Sequence, residues 1–346
     1  DHVAFSRLAG TLPEVLVPKA QLARLARLSR HVPFAASALG VECRLRGRNT
    51  AVDLGAAWVR AAATLEWPSP ANACHRVRQS ASADPCRQAI DRFFRLWSTR
   101  GSASSAWIPF VFLEYDSDGA DPPVPSVFAA LDSPVGVAPS RGCPEAAAAH
   151  EVARILLGDE LRDEQARAID ACFGAMRGRT RILHVAAMLG RLPRSVRVSL
   201  SISESEASEY FRRVGATAPA TELEELVAAL PIRTPDLQLD FDLGAPLAPR
   251  IGLGHRPEDR AEWEQLLDHL VEHGRCDAGK AAALLRWVDE RVDSQRGLRR
   301  ELSHVKLVRG MTGDIEAKCY LGISLSPRSV GGEGAGIAAE HVAREL

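Results

Sequence analysis

The sequence predicts an α+β fold in which five αββα repeats close ten antiparallel strands into one β-barrel surrounded by helices. Three observations predict it. Apolar and polar residues alternate with period two in ten short stretches, the pattern of strands with two unlike faces. These stretches come in pairs that start at 41, 109, 181, 237 and 304, the loose period of a repeated supersecondary unit. Their polar faces are heavily charged. An open ten-stranded sheet would expose its edges, whereas closure removes them and turns the charged face inward.

The repeats span about 18–58, 85–131, 145–203, 204–254 and 257–325 within a single domain covering 1–346. The first has helical apolar spacing over 18–39, then strands 41–46 (VECRLR) and 51–58. The second has a helix over 85–99 and strands 109–116 (PFVFLEYD) and 125–131 (PSVFAAL). Helices 145–157 and 164–176 lead into strands 181–189 and 196–203 (VRVSLSIS). In the fourth repeat, SESEASE at 203–209 opens a helix to 214 as a capping sequence does, 221–230 forms another, and strands 237–243 (LQLDFDL) and 250–254 follow. The fifth has helices 257–273 and 278–292 and strands 304–309 (HVKLVR) and 315–325 (IEAKCYLGISL). Links rich in Gly, Pro, Asp and Asn suit the hairpins. The glycine-rich segment from 329 reads as a flexible tail to 346, with a short helix at 337–346.

Composition narrows the function. The 346 residues are 46% hydrophobic and 25% charged, enough for a large core. With 43 basic and 44 acidic residues the net charge is −1, which gives no field to draw nucleic acid or an anionic membrane. No apolar run reaches about 18 residues. Seven cysteines, an odd number with no CxxC pair, fit a reducing cytoplasm. The excess of Arg over Lys and the many Ala residues match a GC-rich bacterial gene. GxSxG, HExxH and P-loop signatures are missing, so hydrolase and NTPase chemistry has no positive support.

Residues i and i+2 of a strand share a face, so each hairpin sorts into two sides. One side carries Val41, Cys43, Leu45, Val52, Leu54, Val111, Leu113, Val196, Val198, Leu200, Leu239, Phe241, Leu253, Val305, Leu307, Cys319 and Leu321. The other carries Glu42, Arg44, Arg46, Asp53, Glu114, Asp116, His184, Arg197, Ser199, Gln238, Asp240, Asp242, Arg250, His304, Lys306, Glu316, Lys318 and Tyr320. The helices should cover the first side. The second should line a wet, ligand-sized lumen.

Five αββα units around a polar lumen resemble the aromatic prenyltransferase (ABBA, PT-barrel) superfamily, which includes indole and peptide-modifying branches. The resemblance covers about 41–325, and its most specific residues are Lys318 and Tyr320, a Lys-x-Tyr spacing like that by which such enzymes hold a prenyl diphosphate. It implies a barrel that moves an allylic group from a prenyl diphosphate to an aromatic small molecule or peptide. Arg44, Arg197, Arg250, His304, Lys306, Lys318 and Tyr320 would then hold the diphosphate, because a departing anion needs fixed cations and hydroxyl donors. Glu114 or Glu42 would bind an acceptor N–H or take its proton. Asp240 and Asp242, two apart on one strand face, could carry Mg²⁺, with plain salt bridging as the simpler reading.

The sequence also departs from that pattern. It has three tyrosines, of which Tyr320 alone sorts inward, so the tyrosine shield of the allylic cation is lacking. The inward acids roughly balance the bases. A second expectation is therefore a non-catalytic barrel that binds a peptide or small anion. A third, a barrel with cysteine-based hydrolytic chemistry, is weaker because Cys43 and Cys319 sort outward. His269, His273 and Cys276 share a helix face but lack a fourth metal ligand nearby, and GGEGAG at 331–336 lacks the strand and Lys of a phosphate loop.

Overall fold

The computed structural model describes residues 2–32, 36–47, 51–59, 84–99, 102, 106–117, 123–131, 143–215, 219–231, 236–243, 251–289, 292–293, 298–309 and 313–325. Its strands are β1 (Ala38–Arg44), β2 (Val52–Val59), β3 (Phe110–Tyr115), β4 (Ser126–Ala130), β5 (Arg181–Ala187), β6 (Val196–Ile202), β7 (Leu237–Leu243), β8 (Ile251–His255), the two-residue β9 (Val292–Asp293), β10 (Leu298–Arg309) and β11 (Ile315–Leu325). Strands β1 to β8 pair with their neighbours in chain order, β8 pairs with β10, β10 with β11, and β11 with β1, all antiparallel. The ring is closed with ten strands, as the alternation predicts, and β9 adds a short pairing to β10.

Nine helices among the described residues surround it: α1 (His2–Ala9), α2 (Lys19–Leu28), α3 (Pro85–Ser98), α4 (Pro144–Leu157), α5 (Asp163–Ala175), α6 (Glu204–Val214), α7 (Pro219–Ala228), α8 (Arg260–Glu272) and α9 (Ala278–Asp289). The α3 helix shows how they attach. Asp84 caps it by accepting from the Cys86 N–H at 3.0 Å, and Pro85 occupies the first turn, where an N–H would be unused. Cys86, Ala89, Ile90, Phe93, Phe94 and Trp97 then recur at helical spacing and are buried. Phe94 meets Trp58 of β2 edge-on at 5.4 Å, and Trp97 Nε1 donates to the Ile108 carbonyl at 2.8 Å ahead of β3. Each such side chain contributes about 1.5–3 kcal/mol of burial.

The outward strand residues named above all join one continuous core under the helices. Tyr115 and Tyr210 lie there too, leaving Tyr320 on the inner face.

Several boundaries differ from the expected ones. The helix expected over 18–39 ends at Leu28 and one 3₁₀ turn, and Val32 is extended, as the residue before Pro33 must be. β1 therefore starts at Ala38 and ends at Arg44, which leaves Arg46 exposed beyond the strand rather than in the lumen. α1 was not expected at all. β10 begins six residues earlier than alternation indicates, because a bulge between Leu302 and Val305 interrupts the period. Arg250 and the tail at 329–346 lie outside the described residues.

Candidate active site in the barrel lumen

Two chambers lie along the lumen. The inner one is lined by Glu42, Asp53, Gly55, Phe112, Glu114, Phe128, His184, Ser199, Asp240, His304, Lys306 and Tyr320 among others. The outer one is lined by Arg191, Arg197, Arg309, Glu316 and Lys318 together with Glu42, Glu114, Asp240 and Lys306. The last four residues face both spaces.

Register explains the grouping. Glu42 of β1 stands opposite Asp53 of β2 and Tyr320 of β11, and Arg44 stands opposite Lys318, so the two ends of the ring meet at charged residues. Lys318 Nζ lies 2.8 Å from Glu42 Oε1, and the Tyr320 hydroxyl donates to Glu42 Oε2. Burial opposes ionisation of Glu42, but the cations of Lys318, Arg44 and Lys306 outweigh it and hold the carboxyl well below its usual range. On Tyr320, burial and the adjacent Glu42 charge push the phenol well above its ordinary value, so it stays a donor. The β10 bulge aims His304 over Tyr320, where the rings stack at 4.1 Å and 13°. Burial and then the Lys306 charge depress His304 to about 3. A neutral imidazole there would offer a diphosphate a hydrogen bond rather than a charge; Ser303 Oγ lies 2.9 Å from its Nδ1.

Of the cations expected to ring the lumen, Arg44, Arg197, Lys306 and Lys318 face it, each against a carboxylate. Lys306 pairs with Asp240. Arg197 donates from Nε and Nη2 to the two oxygens of Asp242 at 2.7 and 3.1 Å. Arg44 Nη1 lies 2.6 Å from Asp53 Oδ2 and 3.4 Å from Glu42. Each of these cations thus meets a carboxylate instead of open space, because the acids share its inward parity, on the neighbouring strand for Arg197 and Arg44 and across Gly252 of β8 for Lys306. Asp240 and Asp242 are spent on Lys306 and Arg197, and no third carboxylate joins them in a metal-compatible group among the described residues. Asp240 is nevertheless held down to about 2, since Lys306 and Arg197 overcome its burial.

Asp53 behaves oppositely. It is 2% exposed, and burial together with the Glu42 and Glu114 charges raises it to about 7 despite Arg44 and a 2.7 Å bond from the Ser117 N–H. Burial also raises Glu114, against the pull of Arg191. Arg191 was not among the expected residues. It stands on the 188–195 connection between β5 and β6 and donates to Asp116 Oδ2 from Nε at 2.9 Å, and from Nη2 to Asp116 Oδ1 and Glu114 Oε1 at 2.8 Å.

The inner end of the lumen, expected from the polar strand faces to be wet, carries apolar side chains. Ala38, Ala57, Phe110 and Ala130 cluster there, and Phe128 packs with Ala186 and Met188. Phe112 stacks on Phe128 at 4.3 Å and 11°, and His184 meets Phe112 edge-on at 5.3 Å. The parity of 110, 112 and 114 in PFVFLEYD is the sequence signal that puts Phe110 and Phe112 on the face of Glu114. Gly252 and Gly254 of β8 make way for side chains of the neighbouring strands. A Cβ at 252 would collide with Lys306 Cε, and one at 254 would press on the Gln238 side chain, so neighbouring strands fill that space.

Outside the barrel, His269, Glu272 and His273 bring ligand atoms within 4.8 Å of one another, while Cys276 is buried and not part of that group. No helix among the described residues is long and apolar enough to cross a membrane.

No family model and no curated protein sequence matches the chain. Solved structures do match. The apo form of the prenyltransferase PriB aligns over 92% of this chain and 93% of its own, at 14% identity and a TM-score of 0.51. AnaPT from Neosartorya fischeri aligns over 82% and 76% at 17% identity and 0.48, and 5-dimethylallyltryptophan synthase from Streptomyces coelicolor over 95% and 96% at 14% and 0.45. The closed ten-stranded antiparallel ring with its outer helices is the PT barrel of the aromatic prenyltransferase superfamily. This chain has that fold.

Proposed function

We propose that the barrel is a transferase moving an allylic group from a prenyl diphosphate to an aromatic acceptor, either a small molecule or a side chain of a peptide. One observation carries the reading. The cation-bearing outer chamber opens on an inner chamber walled by aromatic rings, and the two share Glu42, Glu114, Asp240 and Lys306. Lys318, Lys306, Arg197 and Arg44 would receive the diphosphate, whose several negative charges outcompete single carboxylates for them. As the allylic C–O bond breaks, its electron pair leaves with the diphosphate. The cation that develops would lie between the faces of Phe112–Phe128 and His304–Tyr320, which do the shielding expected of tyrosines. Glu114 would take the proton released when the acceptor becomes aromatic again. PriB has also been solved with L-tryptophan and dimethylallyl thiolodiphosphate, so tryptophan is the first acceptor to try.

The paired state of Lys318, Lys306, Arg197 and Arg44 favours a second reading, a barrel that binds a peptide or small anion without transferring anything. Incubation with dimethylallyl and geranyl diphosphates plus tryptophan- and tyrosine-containing acceptors, read by mass spectrometry, separates the two. Transfer requires a mass gain of one prenyl unit that Lys318→Ala reduces by about 10²-fold or more. Tight peptide binding with no adduct from any donor, unaffected by Lys318→Ala, establishes the binding barrel instead.

A further inference from the structure

Arg191 differs from the other lumen cations in where it stands. Arg44, Arg197, Lys306 and Lys318 are fixed on barrel strands, whereas Arg191 belongs to the connection after β5. One end of that connection is anchored, since Gly190 packs so closely on the Val124 carbonyl that a Cβ would collide with it. Two residues on, Leu192 is 87% exposed. The guanidinium therefore sits on an arm with a held base and an outer tip. On one side it grips Glu114 and Asp116; on the other it lines the outer chamber with Arg197, Lys306 and Lys318. Arg191 Nη2 donates to Oε1 of Glu114, the carboxylate assigned above to the acceptor's proton.

We propose that Arg191 couples the two chambers as a positioning residue: a diphosphate entering the outer chamber draws the guanidinium off Glu114, which takes up a proton from water in its place and returns it to water when an acceptor N–H docks, so an ionised Glu114 meets the acceptor only after the donor is seated. The inference rests on the transferase reading. Its physical basis is competition. A guanidinium fork fits a phosphate oxygen pair as well as a carboxylate pair, and the diphosphate carries more charge. Once Arg191 leaves, Glu114 faces Glu42 from β1, Asp53 from β2 and Asp116 on its own strand, against Lys306 from β10. Three acids against one cation favour the neutral carboxyl in the donor complex; docking of the acceptor N–H on the carboxylate then returns that proton to water, which leaves Glu114 ionised for the proton the acceptor itself releases. Donor binding is then linked to proton uptake through Glu114, and donor must bind before acceptor.

Calorimetry of dimethylallyl thiolodiphosphate binding, run near pH 7 in buffers of different ionisation enthalpy, counts the protons taken up. Wild type is expected to take up more protons than Arg191→Gln, because the variant's Glu114 has no guanidinium to lose. Glu114→Gln should show the same deficit, and the double variant no further one. Arg191→Lys, which keeps the charge, should recover part of the uptake and guards against a misfolded Gln variant. Equal uptake in wild type and Arg191→Gln, with the analogue still bound, overturns the coupling while leaving the transferase reading intact. Failure of the wild-type protein to bind the analogue removes the transferase reading, and the coupling with it.

Discussion

Lys318→Met tests whether the ion pair at the ring's closure is as buried as it looks. The substitution keeps most of the side-chain volume and removes the cation facing Glu42, whose carboxylate stays in place with the Tyr320 hydroxyl. Removing one partner of a buried pair costs about 3–5 kcal/mol. The Lys318 side chain is 16% exposed and that of Glu42 7%, so the lower end, about 3 kcal/mol, is appropriate. At about 2.1 cal/mol/K per residue, 346 residues give an unfolding entropy of about 0.7 kcal/mol/K, and Tm should fall by about 4 °C. Lys318→Met/Glu42→Gln should recover most of the loss, since a neutral pair leaves no stranded charge. The pH dependence carries the sign. In wild type the depressed Glu42 contributes stability that is present above about 4.3, the unfolded value, and fades as pH falls towards its folded value. In the variant Glu42 protonates more readily, so its deficit should be larger at pH 8 than at pH 5. Thermal melts of wild type, Lys318→Met, Glu42→Gln and the double variant at both values decide the matter. A deficit equal at both pH values, or a double variant as unstable as the sum of the two single ones, would refute the argument.

Three further outcomes follow from the lumen. Asp53 is raised to about 7, so its burial is harmless below its unfolded value near 4 and costs stability as pH rises through 7; denaturant melts should find Asp53→Asn more stable than wild type at pH 8, with the gap narrowing at pH 5. Gly252→Ala pushes Lys306 away from Asp240, and calorimetry should show donor-analogue affinity lowered by about tenfold, roughly one displaced charge-assisted hydrogen bond, with Tm changed far less. Phe112→Ala removes one ring of the stacked pair, should lower stability by about 3 kcal/mol, and should shift donor preference from dimethylallyl towards geranyl diphosphate in a competition assay, because the inner chamber deepens.

How much of this could be read in advance depends on what alternation measures. It assigns a face to each residue, and the inward placement of Glu42, Asp53, Glu114, Lys306, Lys318 and Tyr320 follows from that alone. Strands 237–243 and 315–325 match to the residue because their period is unbroken. Where the backbone breaks period the reading fails, as at the bulge that hides the first six residues of β10. Pairing is another matter. Parity puts Lys318 and Glu42 in one lumen, but their contact depends on closure between residues 276 apart, which no local pattern encodes. That is why the lumen reads from sequence as a ring of free cations and proves to be a set of ion pairs. Arg191 escaped because loops have no period, and its one signal was a charged residue flanked by Gly190 and Pro193 next to a strand end.

The pairing of β1 with β11 also sets an order of events during synthesis. A ribosome adding about 5–20 residues per second needs about 15–55 s to travel from Glu42 to Lys318. For that interval β1 has β2 on one side and nothing on the other, an open strand edge of the kind that recruits stray chains. Newly made protein should therefore depend on whatever shelters that edge, and a stop anywhere before β11 leaves a chain with most of its strands and no finished reaction chamber.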